Sequence, residues 1–158
     1  ERIPEIDIFL SDGQIWKDDI FEFKVISVPG HTMGHICFYF FNEKIVFTGD
    51  TLFSLGCGRV FEGSNEDMFN SLTKLKSLPP ATKVYFGHEY TLNNSIFCST
   101  IDKNNSELDR KIIDIKKKLN NGLPTVPSSI KDELDCNIFL RAKTLKEFSK
   151  LRDLKDNF

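Results

Sequence analysis

All three histidines of this chain lie in two short motifs that also contain glycine. These two motifs, and an aspartate motif between them, are Pro-Gly-His31-Thr-Met-Gly-His35, Phe-Thr-Gly-Asp50-Thr and Gly-His88-Glu-Tyr. Imidazole and carboxylate groups are common ligands of zinc and related metals. Because each motif adjoins an apolar, strand-like run, the pattern predicts a metal site on loops at the ends of strands.

The first motif contains two histidines four residues apart, which would share one face of a helix. A proline and two glycines in the same segment favour a loop instead. In a loop, one histidine can bind metal while the other orients it or satisfies the backbone. Because His35 immediately precedes the apolar run 36–41, we expect His35 to be the ligand and His31 to support it.

Asp50 and His88 each follow an apolar run and a glycine. An aspartate at such a position is either a turn residue or a ligand. We favour the ligand, because one carboxylate can span two metal ions roughly 3.5–4 Å apart, and we predict that Asp50 is the catalytic residue. Two alternatives stay open beside His88: Glu89 orients it or is a solvated charge, and Tyr90 offers its hydroxyl or packs.

Composition indicates a globular chain of one or two small domains, since the 158 residues are 40% hydrophobic and 28% charged. A net charge of −2 gives no reason to expect nucleic acid as a partner, and no apolar run is long enough to span a membrane. The four cysteines lack a Cys-x-x-Cys pair, which favours reduced thiols and a cytoplasmic protein. Cys57 is either a nucleophile or a small buried side chain, and we favour the buried side chain.

Both strands and helices must position these residues. The pattern predicts strands over residues 6–10, 21–28, 36–41, 44–48 and 83–86. It predicts helices from Ser64 to the prolines at 79–80, over 106–121 and over 144–154. The strands before residue 50 look like consecutive hairpins, and the chain becomes mainly helical after about residue 100.

Several of these motifs together resemble the metallo-β-lactamase superfamily and, within it, the glyoxalase II (hydroxyacylglutathione hydrolase) family. They occupy 29–38, 47–54, 56–63 and 87–92, and the segments 137–141 and 151–158 are similar to that family's helical tail. The resemblance implies an α/β fold. Residues 1–100 would form the second half of a metallo-β-lactamase αββα sandwich, and residues 101–158 a small α-helical domain that binds glutathione.

The resemblance also implies the site residues and the reaction. The metal ligands would be His35, Asp50 and His88, and the glutathione-binding residues would be Arg59, Tyr90, Arg152 and Lys155. The implied cofactors are two divalent metals, with zinc expected first and iron or manganese as alternatives. The family hydrolyses S-D-lactoylglutathione, a glutathione thioester, to D-lactate and glutathione in methylglyoxal detoxification. From spacing alone, the cations of the last helix would be only a solvated face.

One departure from the family pattern is large. The family takes four further ligands from a Thr-His-x-His-x-Asp-His motif that this sequence lacks. We therefore expect weak metal binding by this chain alone, an apolar sheet face, and a missing N-terminal half or a complementary chain. Two alternatives remain: another hydrolase of this fold that acts on a different thioester or ester, and a non-catalytic remnant that binds glutathione.

Overall fold

Most strands lie in the first half of the chain and most helices in the second. In the computed structural model, which describes residues 5–158, the strands are β1 (Ile15–Lys17), β2 (Glu22–Ser27), β3 (Ile36–Phe40), β4 (Ile45–Gly49), β5 (Leu52–Phe53), β6 (Gly56–Cys57), β7 (Lys83–Phe86) and β8 (Ser128–Ser129). The helices are α1 (Asn65–Lys76), α2 (Thr91–Ile101), α3 (Ser106–Asn120), α4 (Ile130–Cys136), α5 (Ile138–Arg141) and α6 (Leu145–Asp156). The predicted α/β class is confirmed.

The main sheet has six strands in the order β1-β2-β3-β4-β7-β8. Strands β1 to β4 pair antiparallel in chain order. The β2–β3 and β3–β4 pairs confirm the predicted hairpins, whereas β1 is not predicted. Strand β7 instead pairs parallel with β4, because α1 returns the chain across the sheet between them. The sequence pattern does not predict this crossover. It brings the carboxyl ends of β4 and β7 to the same edge, where sites of α/β proteins are usually built.

Helix caps follow the local sequence closely. Ser64 and Asp67 form a complete capping box at the start of α1, as the sequence predicts. Thr144 caps α6 with its side chain, and Gly122 after α3 has a φ of +68°, which suits a helix stop. Among residues 5–158, no helix combines the length and the apolar composition needed to cross a bilayer.

Several segments differ from the prediction, since β1, α2, α4 and α5 are not among the predicted elements. Residues 6–10 form no strand, and Phe9 is 69% exposed, because an apolar run becomes a strand only where it pairs with a neighbouring strand. Helix α2 is not predicted, since its sequence contains no charged residue and has no regular polar face. It is nevertheless held by burial of Phe97 and Cys98 in the core.

The two faces of the main sheet differ in their side chains. On one face, Cys37 and Val46 are fully buried in the core. The opposite face carries a continuous row of aromatic rings with centroids 5.2 to 6.0 Å apart, formed by Phe21, Phe23, Phe38, Phe40, Phe47 and Tyr85. We call this row the aromatic face. Phe47 at its centre is 45% exposed, which is unusual for a central strand of a sheet.

Candidate active site

Asp50 and His88 meet at the carboxyl edge of β4 and β7. Asp50 directly follows β4, and Nε2 of His88 lies 3.3 Å from its Oδ1. Gly87 permits this approach, since a Cβ added there would lie 2.7 Å from the same carboxylate oxygen. The parallel strand pair therefore brings together two predicted ligands that are far apart in the sequence.

His31 faces the other carboxylate oxygen. Its Nε2 lies 3.5 Å from Oδ2 of Asp50, and its Nδ1 lies 2.9 Å from the carbonyl oxygen of Arg59. A carbonyl only accepts, so Nδ1 carries the proton and donates it. In the neutral ring, Nε2 then keeps its lone pair, which is the form that binds a metal.

His35 lies behind this arrangement. Its ring packs against Gly49, where an added Cβ would lie 2.5 Å from Nε2 of His35. Burial lowers the pKa of His35, and the charge of Asp50 opposes that effect. His31 lines the neighbouring cavity, whereas His35 is not among its described lining residues. The predicted assignment, with His35 as the ligand and His31 in support, does not match this geometry, which favours the reverse.

The residues present fit a divalent metal in their chemistry but fall short in number. Two imidazoles face opposite oxygens of one carboxylate, as expected where a carboxylate joins two ions. However, within residues 5–158 no group of three or more His, Cys, Asp or Glu side chains is arranged to hold a metal. A catalytic zinc usually has three protein ligands.

Zinc titration of the chain can distinguish the roles of the two histidines of the first motif. We expect His35→Ala to reduce zinc affinity about tenfold, because residues that support a ligand typically contribute about 10–100-fold. His31→Ala should cost more than about 100-fold, since it removes a ligand itself. Equal losses, or a greater loss in His35→Ala, would favour His35 as the ligand after all. The melting temperature of each variant controls for unfolding.

A cavity of about 550 Å³ opens beside Asp50. Every residue predicted to bind glutathione lines it, namely Arg59, Tyr90, Arg152 and Lys155. Sequence reasoning missed further lining residues, which include Phe53, Asn93, Asn94 and Phe158. These residues lie in a short hairpin, in α2 and after α6, and only the packing of those elements brings them together.

The three cations of the cavity differ in exposure and in their contacts with the rest of the protein. The Arg59 side chain is 62% exposed, with Nε 3.5 Å from Asp156. Arg152 is only 4% exposed, because its guanidinium donates to the carbonyl oxygen of Cys57 at 3.1 Å and to Asp156 at 2.8 Å. Lys155 lies over the rings of Phe97 and Phe158 at 5.0 Å from each. Burial and the nearby Arg152 lower the pKa of Lys155.

The two residues after His88 have defined contacts. Tyr90 stacks on the His88 ring with centroids 5.0 Å apart, and its side chain also lines the cavity. Glu89 is an exposed residue whose carboxylate contacts Thr125. It accepts hydrogen bonds from the amide of Thr125, at 2.9 Å, and from the hydroxyl of the same residue.

Cys57 is a buried structural thiol, as the sequence analysis favours. Burial raises its pKa to about 11, although Arg152 opposes that effect. The thiolate is the nucleophilic form, so Cys57 is a poor nucleophile near neutral pH. All four cysteines are free and buried.

Comparison with known proteins places this geometry in a family. The model of the metallo-beta-lactamase superfamily matches residues 1–88, more than half of the chain. The chain belongs to the metallo-β-lactamase superfamily. Membership in the metallo-β-lactamase superfamily implies the use of divalent metals. A second family model, described as hydroxyacylglutathione hydrolase C-terminus, matches residues 89–158.

Relatives of known name are longer than this chain. A protein named hydroxyacylglutathione hydrolase from Pelagibacter ubique (strain HTCC1062) is 61% identical over 158 residues, which are 100% of this chain and 66% of that protein. One of the same name from Rhizobium etli is 44% identical over 170 residues, covering 99% of this chain and 66% of that protein. The crystal structure of ETHE1 from Myxococcus xanthus superposes with a TM-score of 0.67 at 25% identity, over 95% of this chain and 53% of that one. The chain therefore spans about two thirds of the curated relatives it matches.

Proposed function

We propose that this chain is the substrate-binding part, and part of the metal site, of a hydroxyacylglutathione hydrolase. The reaction is hydrolysis of S-D-lactoylglutathione to D-lactate and glutathione. The observation that carries the proposal is one continuous cavity, which has Asp50, His31 and His88 in its lining together with three cations. The names of the relatives support the same substrate class.

The charges of the cavity suit glutathione, which carries two carboxylates. Arg59, Arg152 and Lys155 supply three positive charges, and Asp156 balances part of them through contacts with both arginines. Arg59 and Lys155 are the cations that a carboxylate reaches most easily, because Arg152 is already hydrogen-bonded to the protein. Charge-assisted hydrogen bonds of this kind are stronger than neutral ones.

The same cavity supports thioester hydrolysis. Two bound divalent metals, with zinc as our first choice and iron or manganese as alternatives, would supply the Lewis acidity that lowers the pKa of water. Asp50, His31 and His88 are the residues that would hold the ions. The cations hold the glutathione moiety, so that the thioester carbonyl lies next to Asp50 and hydrolysis gains from proximity.

The further metal ligands would come from outside this chain. Three ligands are too few for two catalytic sites, and the relatives contain sequence that the chain does not span. The aromatic face gives such a segment, or a complementary chain, a surface to pack against. We use the term completed protein for this chain joined to the segment of the Pelagibacter ubique relative that lies outside the match.

Two further assignments belong to this proposal. We divide the chain into a metallo-β-lactamase part over residues 1–100 and a helical glutathione-binding part over residues 101–158. We also place the protein in the cytoplasm, because its cysteines are free thiols in all four positions.

The proposal is tested by titrating glutathione into this chain and measuring binding by calorimetry. The cation-lined cavity is present without the missing ligands, so wild type should bind. Lys155→Ala should weaken binding about tenfold, as expected for loss of one charge-assisted contact. Lys150→Ala is the matched control, since Lys150 is exposed on the same helix and does not line the cavity.

The outcome separates the competing functions. No binding of glutathione, with binding of another acyl thioester, would favour a different hydrolase of this fold. Binding of glutathione by a completed protein that hydrolyses no thioester would favour the non-catalytic remnant. Equal affinity in wild type and Lys155→Ala would remove the cation-lined cavity as the glutathione site.

A further inference from the structure

Side chains of the helices α2 and α6, together with Asn137 at the start of α5, hold the backbone of the β5–β6 hairpin. Five successive carbonyl oxygens of the hairpin, from Phe53 to Cys57, accept hydrogen bonds from these side chains. The donors are Asn137 Nδ2 to Phe53 at 3.4 Å and to Gly56 at 3.0 Å, Asn94 Nδ2 to Ser54 at 3.1 Å, Cys98 Sγ to Leu55 at 3.2 Å, and Arg152 Nη1 to Cys57 at 3.1 Å. A hairpin held this way has little freedom to move, because each buried carbonyl would lose its partner.

Glu133 adds a contact to an amide of the same hairpin, and its side chain is fully buried. It accepts hydrogen bonds from the amide of Leu55 at 2.8 Å, from Nδ2 of Asn137 at 2.9 Å and from the hydroxyl of Ser128. A buried carboxyl group is tolerated only where such donors surround it. Burial raises the pKa of Glu133, so a neutral amide is the least disruptive replacement.

Leu55 shows why this contact matters. Its φ is +60°, a left-handed conformation that a branched side chain rarely adopts, and its side chain is fully buried. Such a conformation is strained and persists only where the surroundings determine it. The Leu55 amide and carbonyl are both held, by Glu133 and Cys98 respectively.

The hairpin in turn forms part of the cavity wall. Phe53 and Cys57 line the cavity, and Arg59 lies two residues after the hairpin. The carbonyl oxygen of Arg59 accepts a hydrogen bond from His31 Nδ1, which fixes the ring that faces Asp50. A shift of the hairpin would therefore move a substrate cation and a candidate metal ligand together.

We infer that Glu133 and Asn137 are positioning residues of the active site, which fix the β5–β6 hairpin and through it Arg59 and His31. The helical part then does more than bind the substrate, because it also sets the geometry of the loop beside Asp50. The identity of the ligand rests on the proposed function, whereas the positioning itself does not.

The test compares Glu133→Ala with the conservative Glu133→Gln and the control Asp135→Ala in this chain. Gln keeps an acceptor for the Leu55 amide, and Asp135 lies on the same helix but its carboxylate contacts Lys131 at 2.8 Å. Amide exchange is followed by NMR at Leu55 and, as a reference for global opening, at Val46 in β4. The affinity for glutathione and the His31 ring signals are measured on the same samples.

Glu133→Ala should speed exchange of the Leu55 amide at least about tenfold more than that of Val46. It should also shift the His31 signals and weaken glutathione binding about tenfold. Glu133→Gln should restore all three readouts to near wild type, and Asp135→Ala should leave the glutathione affinity unchanged. If Glu133→Ala does not fold, Asn137→Ser replaces it, since serine can still cap α5 but is too short to reach Gly56.

Equal acceleration at Leu55 and Val46, with unchanged His31 signals, would show a purely structural role and overturn the inference. Failure of the wild-type chain to bind glutathione would overturn the proposed function instead. The exchange and His31 readouts would still decide the positioning role in that case.

Discussion

Asp50→Asn in the completed protein will lower kcat/KM for S-D-lactoylglutathione by at least about 10³-fold, the several kcal/mol that metal ions contribute to such a transition state. The physical reason is the position of Asp50, whose two oxygens face different imidazoles at 3.5 and 3.3 Å. Asparagine offers one oxygen and one NH2 group, and the NH2 group cannot bind a metal. Steady-state hydrolysis and metal content per chain are the measurements.

The control for this variant is Asp153→Asn, because Asp153 is exposed on α6 and does not line the cavity. It should hydrolyse the thioester at the wild-type rate. Asp50→Asn should still bind glutathione, since the cations of the cavity are unchanged. Wild-type turnover by Asp50→Asn would rule out a carboxylate-bridged metal pair as the catalyst.

Phe47→Asp should lower the free energy of unfolding only slightly in the isolated chain but strongly in the completed protein. In the isolated chain, Phe47 is 45% exposed and contacts its ring neighbours on the aromatic face, so the cost to the free energy of unfolding should be at most about 1 kcal/mol. If the added segment covers this face, the same change buries a charge and should cost more than about 2 kcal/mol. Urea unfolding of both forms measures the difference.

Ile113→Asp provides the comparison, because Ile113 is 67% exposed on α3, away from the main sheet. Its cost should be small and equal in both contexts. A cost for Phe47→Asp that does not change between the isolated and completed forms would mean that the added segment packs elsewhere.

Local signals explain which elements the sequence predicts correctly. The strands β2, β3, β4 and β7 and the helices α1, α3 and α6 each carry an apolar period or a cap that acts within a few residues. Ser64 and Asp67 even form the predicted capping box. Helix α2 lacks such a signal, and residues 6–10 carry an apolar run that pairs with no strand.

The sequence by itself determined the residue types from which a metal site could be built, and it indicated the superfamily, which the comparisons confirm. Only the tertiary structure decided that His31 rather than His35 faces Asp50, and that Glu133 holds the amide of Leu55, 78 positions away. The reason is physical. Capping and apolar periodicity depend on residues only a few positions apart. The direction in which a ring points, or the partner of a buried carboxylate, depends on elements that meet only after the chain has folded.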